Sequence, residues 1–279
     1  MSDRRAPRIV FQDLDGCLNP EDGEDFPPGA VGVLSSGQER MLEAIARAIA
    51  ASRVEVVAVN SGRGLADTLY IADKLRGPKL RYLLLEHCAF GYDLVGGRRM
   101  DLGELASRLG FTAAARGYGE LTRVQDLLAW YRREGHRGLE RRFGVEMPAL
   151  DKEANLSVPV PPRAAPEEVL AALRAEILRN FPDCGELHFC FTPRFVDVTA
   201  GVHKSTGAEI LCRHLGIPLA EAAAIGDSLN DLSIFEFLDH VCCPANSHEK
   251  VKTACRGKGG RISGLPFGEA CLEFYRSWS

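Results

Sequence analysis

The chain has 279 residues, 46% of them hydrophobic and 26% charged, enough for one large globular domain or two modest ones. Its 34 lysines and arginines against 38 aspartates and glutamates leave a net charge of −4, which argues against nucleic acid or an anionic membrane as a general partner. The nine cysteines are odd in number and form no C-x-x-C pair, no basic-then-apolar leader opens the sequence and no apolar run is long enough to span a bilayer, so the expectation is a cytoplasmic protein with reduced, mostly buried thiols.

In chain order, Ile9 to Phe11 reads as a short buried strand that ends in Asp-Leu-Asp-Gly. Met41, Leu42, Ile45 and Ile49 then recur on one face of a helix. "VEVVAVN" (54–60) is a second strand, a helix follows from about Leu65 to a stop at Gly77, and "LRYLLLE" (80–86) is a third strand. Near the C-terminus "GAEILCRHLGI", "AEAAAIGDSLND" and "HVCCPA" repeat the rhythm, with Cys242 and Cys243 as core residues. Continuous apolar strands alternating with helices predict an α/β fold with a doubly wound parallel sheet. The middle differs: a helix in "LTRVQDLLAWYRR", a proline-rich joint "VPVPPRAAP", a helix in "PEEVLAALRAEILRNF", and two alternating strands about a Thr-Pro turn in "ELHFCFTPRFVDVT". The expected organisation is a core of residues 1–85 and 200–279 with an α+β domain, 86–199, inserted into it.

Ligands collect at the carboxyl ends of the strands of such a sheet. The first strand delivers Asp13 and Asp15 there, the second Asn60, Ser61, Gly62 and Arg63, and "IGDSLND" brings Asp227, Asn230 and Asp231. Lys204 stands at a helix start marked by Thr206-x-x-Glu209. Four carboxylates converging on one cleft are tolerable only around a hard divalent cation such as Mg²⁺, and Ser61 and Lys204 add donors for an anion. That set suits phosphoryl transfer, with an aspartate as nucleophile. Taken singly, the D-x-D is a turn or helix cap, Ser61 a helix-start residue and Lys204 a surface lysine.

"FQDLDGCL", "VVAVNSGR", Lys204 in "GVHKSTGAEIL" and "IGDSLND" together resemble the four ordered motifs of the haloacid-dehalogenase superfamily of phosphatases. The insert between the second and third resembles the class-two α+β cap of Cof-type, sucrose-phosphate and mannosyl-phosphoglycerate phosphatases. The resemblance implies a Mg²⁺-dependent phosphatase for a small phosphorylated metabolite, a sugar phosphate or a phosphoglycerate-type ester. It implies that Asp13 attacks phosphorus and that Asp15 is the acid/base. Ser61 and Lys204 would hold phosphoryl oxygens. Asp13, Asp15 (through its backbone carbonyl), Asp227 and Asp231 are the implied metal ligands, with Asp231 alternatively orienting Lys204. Asp15 also speaks against a dehalogenase, which lacks an acid/base there.

Two departures from the family pattern stand out: Cys17 where threonine is usual, and "EHCA" (86–89) where "ENGA" is common. Gly62, Arg63, His87, Arg194, Asn230 and Asn246 are the residues expected near substrate. The acidic loop "NPEDGEDFPPG" (19–29) reads as a solvated loop or as carboxylates that meet substrate hydroxyls. The five arginines between Trp130 and Gly144 read as a solvated helix face or a grip on a second anion. A phosphosugar mutase shares this core and cap, and a non-catalytic sugar-phosphate binder is the reading from another class. The intact Asp13, Asp15, Lys204 and Asp227 set speaks against the binder.

Overall fold

A computed structural model of the chain describes residues 6–18, 34–183, 187–192 and 194–279. Two compact units emerge, Met1–Asp101 with His203–Ser279, and Leu102–Val202. The acidic loop 19–29 and Pro193 of the Thr-Pro turn lie outside the described residues.

In the first unit β1 (Ile9–Gln12) is buried from end to end, as an unbroken apolar run demands. α1 (Ser36–Ala51) opens with a capping box: the Gln38 amide donates to the Ser35 hydroxyl and the Ser35 amide to the Gln38 side chain. It buries Leu42, Ile45, Ala48 and Ile49. β2 (Val56–Asn60), α2 (Leu65–Lys74) and β3 (Leu80–Leu85) follow, and then β4 (Phe90–Asp93) and β5 (Arg98–Met100). Residues 86–101 thus do not begin the insert. Three consecutive residues, Glu86, His87 and Cys88, sit at φ +49°, +59° and +70° and turn the chain back on itself, so that β4 pairs antiparallel with β3, Leu85 against Phe90.

The second unit runs through α3 (Leu102–Arg108), α4 (Thr112–Gly119) and α5 (Leu121–Trp130). A π-helical turn (Tyr131–Gly135) leads into α6 (His136–Phe143), followed by β6 (Asn155–Pro159), α7 (Pro166–Asn180), β7 (His188–Phe191) and β8 (Phe195–Thr199). The three strands form an antiparallel sheet in the order β6-β8-β7. Its core gathers Leu127, Tyr131, Leu156, Val158, Leu173, Ile177, Val196 and Val198. The first two residues of the proline-rich joint, Val158 and Pro159, therefore belong to a strand. Pro159 ends β6 on the outside of the sheet, where a missing N–H leaves no gap in a ladder.

Back in the first unit, α8 (Lys204–Leu215), β9 (Ala222–Ile225), α9 (Leu232–Phe237), β10 (His240–Cys243), α10 (Glu249–Gly257), β11 (Arg261–Ile262) and α11 (Phe267–Ser277) complete the alternation. The sheet order is β11-β10-β9-β1-β2-β3-β4-β5, parallel from β11 to β3. The chain leaves β1 toward β3 and returns on its other side as β9. That reversal opens a crevice at the carboxyl ends of β1, β2 and β9. No helix among the described residues is long and apolar enough to cross a membrane.

Candidate active site

The site starts with how the end of β1 is braced. Gln12, the polar residue in that strand, donates to the Asp13 carbonyl at 2.7 Å and accepts from the Tyr275 hydroxyl at 3.2 Å. Asn246 donates to the Gly16 carbonyl at 2.8 Å and accepts from the Phe267 amide at 2.9 Å. Gly16 itself is irreplaceable on two counts. Its φ is +71°, and a Cβ there would lie 2.0 Å from an Asp227 carboxylate oxygen.

Lys204 is the first residue of α8, with the His203 amide donating to the Thr206 hydroxyl at 3.2 Å. The cap is thus one turn earlier than the Thr206-x-x-Glu209 spacing suggests. Its ammonium, 1% exposed, lies 2.8 Å from Asp13 and 2.6 Å from Asp231. Asp231 accepts on its other oxygen from the Asp227 and Ser228 amides, at 3.0 Å each. Burial opposes a charged lysine, yet the two carboxylates outweigh it and hold Lys204 above its ordinary range. Asp13 is pushed up to about 8, chiefly by burial and then by the Asp231 charge, against the pull of Lys204. Two buried carboxylates, Asp13 and Asp231, thus share one buried ammonium, and a third, Asp227, lies beside Asp13.

That excess of negative charge is the test for a cation. One ligand atom from each of Asp13, Cys17 and Asp227 lies within 4.8 Å of the others. Burial, with Asp227 beside it, raises the Cys17 thiol well above its usual range, so it contributes a neutral S–H and the charged donors are carboxylate oxygens. Such donors suit a hard divalent ion. Asp231, expected among the metal ligands, is outside this group because both its oxygens are engaged by Lys204 and the two amides. The Asp15 side chain is outside it too, which leaves that residue's main-chain carbonyl as its means of ligation.

Asp15 is gripped instead by Arg63, at 2.8 Å and 2.7 Å in a two-pronged contact. Arg63, expected to meet substrate, therefore meets the residue expected to be the acid/base. Burial opposes the guanidinium's charge, and Asp15, with Asp67 and Asp13 behind it, more than restores it. Ser61 is buried, and its hydroxyl accepts from the Arg63 amide at 3.2 Å. The left-handed turn after β3 fastens this loop, with the Glu86 amide donating to the Arg63 carbonyl and the His87 amide to the Ser61 carbonyl. The His87 ring covers Gly62, where a Cβ would lie 2.8 Å from Nε2. Asn60 donates to the Lys204 carbonyl at 3.1 Å and accepts from the Cys88 thiol at 3.2 Å.

Residues 164–257 match the family model for haloacid dehalogenase-like hydrolases. A phosphoglycolate phosphatase of Methanothrix thermoacetophila is 38% identical over 69 residues, 25% of this chain and 31% of that protein. The chain thus spans about a third of the length of this relative. A solved structure from Thermoplasma acidophilum superposes with a TM-score of 0.65 at 16% identity, covering 98% of this chain and 99% of that one. The sucrose-phosphatase of Synechocystis, solved with sucrose and phosphate, gives 0.62 at 14% identity over 98% of each chain. The fold is that of the haloacid dehalogenase-like hydrolases.

Within the first unit the structure brings together Asp13, Lys204, Asp227 and Asp231, and beside them Asp15, Arg63, Ser61, Gly62 and His87. Asn230 accepts from the Ser228 hydroxyl at 2.8 Å, and Asn246 is a brace of the first loop rather than a free donor. Arg194 belongs to the other unit and is exposed in the turn between β7 and β8, its carbonyl accepting from the Val160 amide. The sequence reading placed Asn60 at the end of the second strand and Cys88 in the departure from the family pattern without giving either a bracing role, and it passed over Gln12, whose signal is a glutamine inside an apolar strand.

Proposed function

We propose that this chain is a Mg²⁺-dependent phosphatase that hydrolyses a small phosphorylated metabolite through an aspartyl-phosphate on Asp13. The observation that carries the reading is the buried Asp13, clamped by Lys204 and facing Asp227, two residues before an Asp15 that is held ready by Arg63. Asp13 attacks phosphorus and the bond to the leaving oxygen breaks. Asp15 gives that oxygen a proton, then takes one from the water that cleaves the Asp13–phosphorus bond. Both Asp15 oxygens accept from Arg63 at rest, so the carboxylate must swing off the guanidinium and take up a proton from solvent before it can act as the acid. Lys204 and the Ser61 hydroxyl receive charge on the phosphoryl oxygens. Mg²⁺ held by Asp13 and Asp227 supplies neutralisation of the phosphoryl charge. The inserted unit would serve as the substrate-reading cap.

The similar proteins named above support a small phosphorylated substrate: one is a phosphoglycolate phosphatase and another was solved with sucrose and phosphate. The test is phosphate release from p-nitrophenyl phosphate by the purified chain and by Asp13→Asn. The variant should lose on the order of a thousandfold or more in turnover while it stays folded. Turnover within tenfold of wild type would overturn the nucleophile.

A further inference from the structure

Left-handed backbone is costly for a residue that carries a Cβ, and it persists where the surroundings impose it. Of the three such residues after β3, Glu86 and His87 use their amides to fasten the Arg63 and Ser61 carbonyls. Cys88, at φ +70°, occupies an angle that glycine would adopt freely. What it has and glycine lacks is a thiol.

That thiol is fully buried. Burial, against the pull of the Lys204 charge, pushes it up to about 12, so the sulfur keeps its proton and has one bond to give. The proton meets Asn60 Oδ1 at 3.2 Å, with the Lys204 carbonyl 3.7 Å from the sulfur. Asn60 donates from Nδ2 to the same carbonyl at 3.1 Å. The sulfur also accepts from the Gly207 amide. Gly207 makes room for this contact, since a Cβ there would lie 2.4 Å from the sulfur.

Lys204 opens α8 and Gly207 lies in the same first turn, so Asn60 and Cys88 grip that turn by one carbonyl and one amide. The Lys204 ammonium, 2.8 Å from Asp13 and 2.6 Å from Asp231, ends a flexible stem. Its aim therefore depends on where the main chain is anchored. The Lys204 carbonyl only accepts, which turns the Asn60 NH₂ toward it and Oδ1 toward the thiol. Remove the thiol and Oδ1 is a buried acceptor without its donor, so the carboxamide loses the contact that fixes its pose. We infer that Cys88 is a positioning residue for Lys204, acting through Asn60 and the first turn of α8. It touches no reacting atom. The inference rests on the phosphatase reading for the reaction that Lys204 serves.

Cys88→Ala and Cys88→Ser share the backbone angle and differ by one hydroxyl, which restores a donor toward Asn60. With p-nitrophenyl phosphate, Cys88→Ala should lose about tenfold in kcat while KM stays within about twofold. Cys88→Ser should stay within about threefold of wild type in kcat. The double variant Cys88→Ala with Asn60→Ala should lie within about twofold of Asn60→Ala alone, because the two act in series. A sulfur that only packs would lower Tm in both Cys88 variants and leave kcat alone. A kcat for Cys88→Ala within about twofold of wild type, or equal losses for Ala and Ser, would overturn the proposal. If the wild type leaves p-nitrophenyl phosphate untouched, the phosphatase reading fails by itself, and stability then decides the anchor. In the Cys88→Ala background, Asp231→Asn should lower Tm by no more than about half its effect in the wild-type chain, because the ammonium is already displaced. An equal drop in both backgrounds would overturn the anchor.

Discussion

Replacing Asp231 by asparagine keeps the side chain's shape and removes its charge. In the native protein one oxygen accepts from Lys204 at 2.6 Å and the other from two backbone amides at 3.0 Å each. A carboxamide can serve only one of these sides. With its oxygen toward the amides, its NH₂ confronts the ammonium; flipped, it confronts two N–H groups. The first orientation is the less costly. It forfeits one buried bond between charged groups, about 1.5–3 kcal/mol, and weakens two charge-assisted bonds by about 1 kcal/mol more. Relief of the Asp231 charge that helps push Asp13 up returns part of this, for a net loss of about 2–4 kcal/mol. In a chain of this size the melting temperature should fall by about 3–7 °C. Scanning calorimetry of the chelator-treated protein at neutral pH measures it. The exposed Asp239, 3.5 Å from Lys258, is the control, since Asp239→Asn should cost under about 0.5 kcal/mol. A shift below about 2 °C for Asp231→Asn, or an equal shift for the control, would refute the clamp.

Chelating the metal should abolish p-nitrophenyl phosphate hydrolysis, with Mg²⁺ restoring it and Ca²⁺ not, because Ca²⁺ takes more ligands at longer distances; full activity in excess chelator would contradict the metal site. Asn246→Ala should cost about 1–3 kcal/mol and lower kcat, since it frees the Gly16 carbonyl and the Phe267 amide together; urea unfolding and steady-state kinetics on the same preparation check both. The Ser263 hydroxyl, then Arg261, lowers the Glu273 pKa. Its contribution to stability is present above the ordinary glutamate pKa of about 4.3 and lost as pH falls below that. With Glu273 36% exposed and Arg261 41%, screening keeps it under about 1 kcal/mol. The stability gap between wild type and Glu273→Gln should therefore close between pH 6 and pH 3, and a constant gap would refute the assignment.

β1, β2, β3, β9 and β10 were readable as short apolar runs, and the clustering of Asp13 and Asp231 with Lys204 followed from two strand ends and one helix start. What escaped depends on pairings that no local pattern announces. Asp15 and Arg63 each looked like a group awaiting substrate, and only the approach of two loops makes them partners. The hairpin after β3 was hidden because its reversal uses Glu86, His87 and Cys88 at left-handed angles, where glycine or asparagine is the usual sign. β6 was hidden by Pro159, which is harmless on a sheet edge, and by the prolines that follow it. Gln12 meets Tyr275 only after the whole chain has folded.

The placement of β1 also sets the order of events at the ribosome. Ile9 lies between Val56 and Ala222 in the sheet, so one neighbour emerges early and the other only after the whole second unit has been made. Until then the strand that bears Asp13 is an open edge, apolar on both faces and without Lys204 or Asp231 beside its carboxyl end. Long-range closure of this kind is slow and leaves the half-made sheet exposed to wrong pairing. The second unit is contiguous, with its own core, and can collapse first. A stalled or truncated product ending before β9 would therefore be a folded insert trailing an aggregation-prone N-terminal half. Chaperone dependence should track the time between synthesis of β3 and of β9.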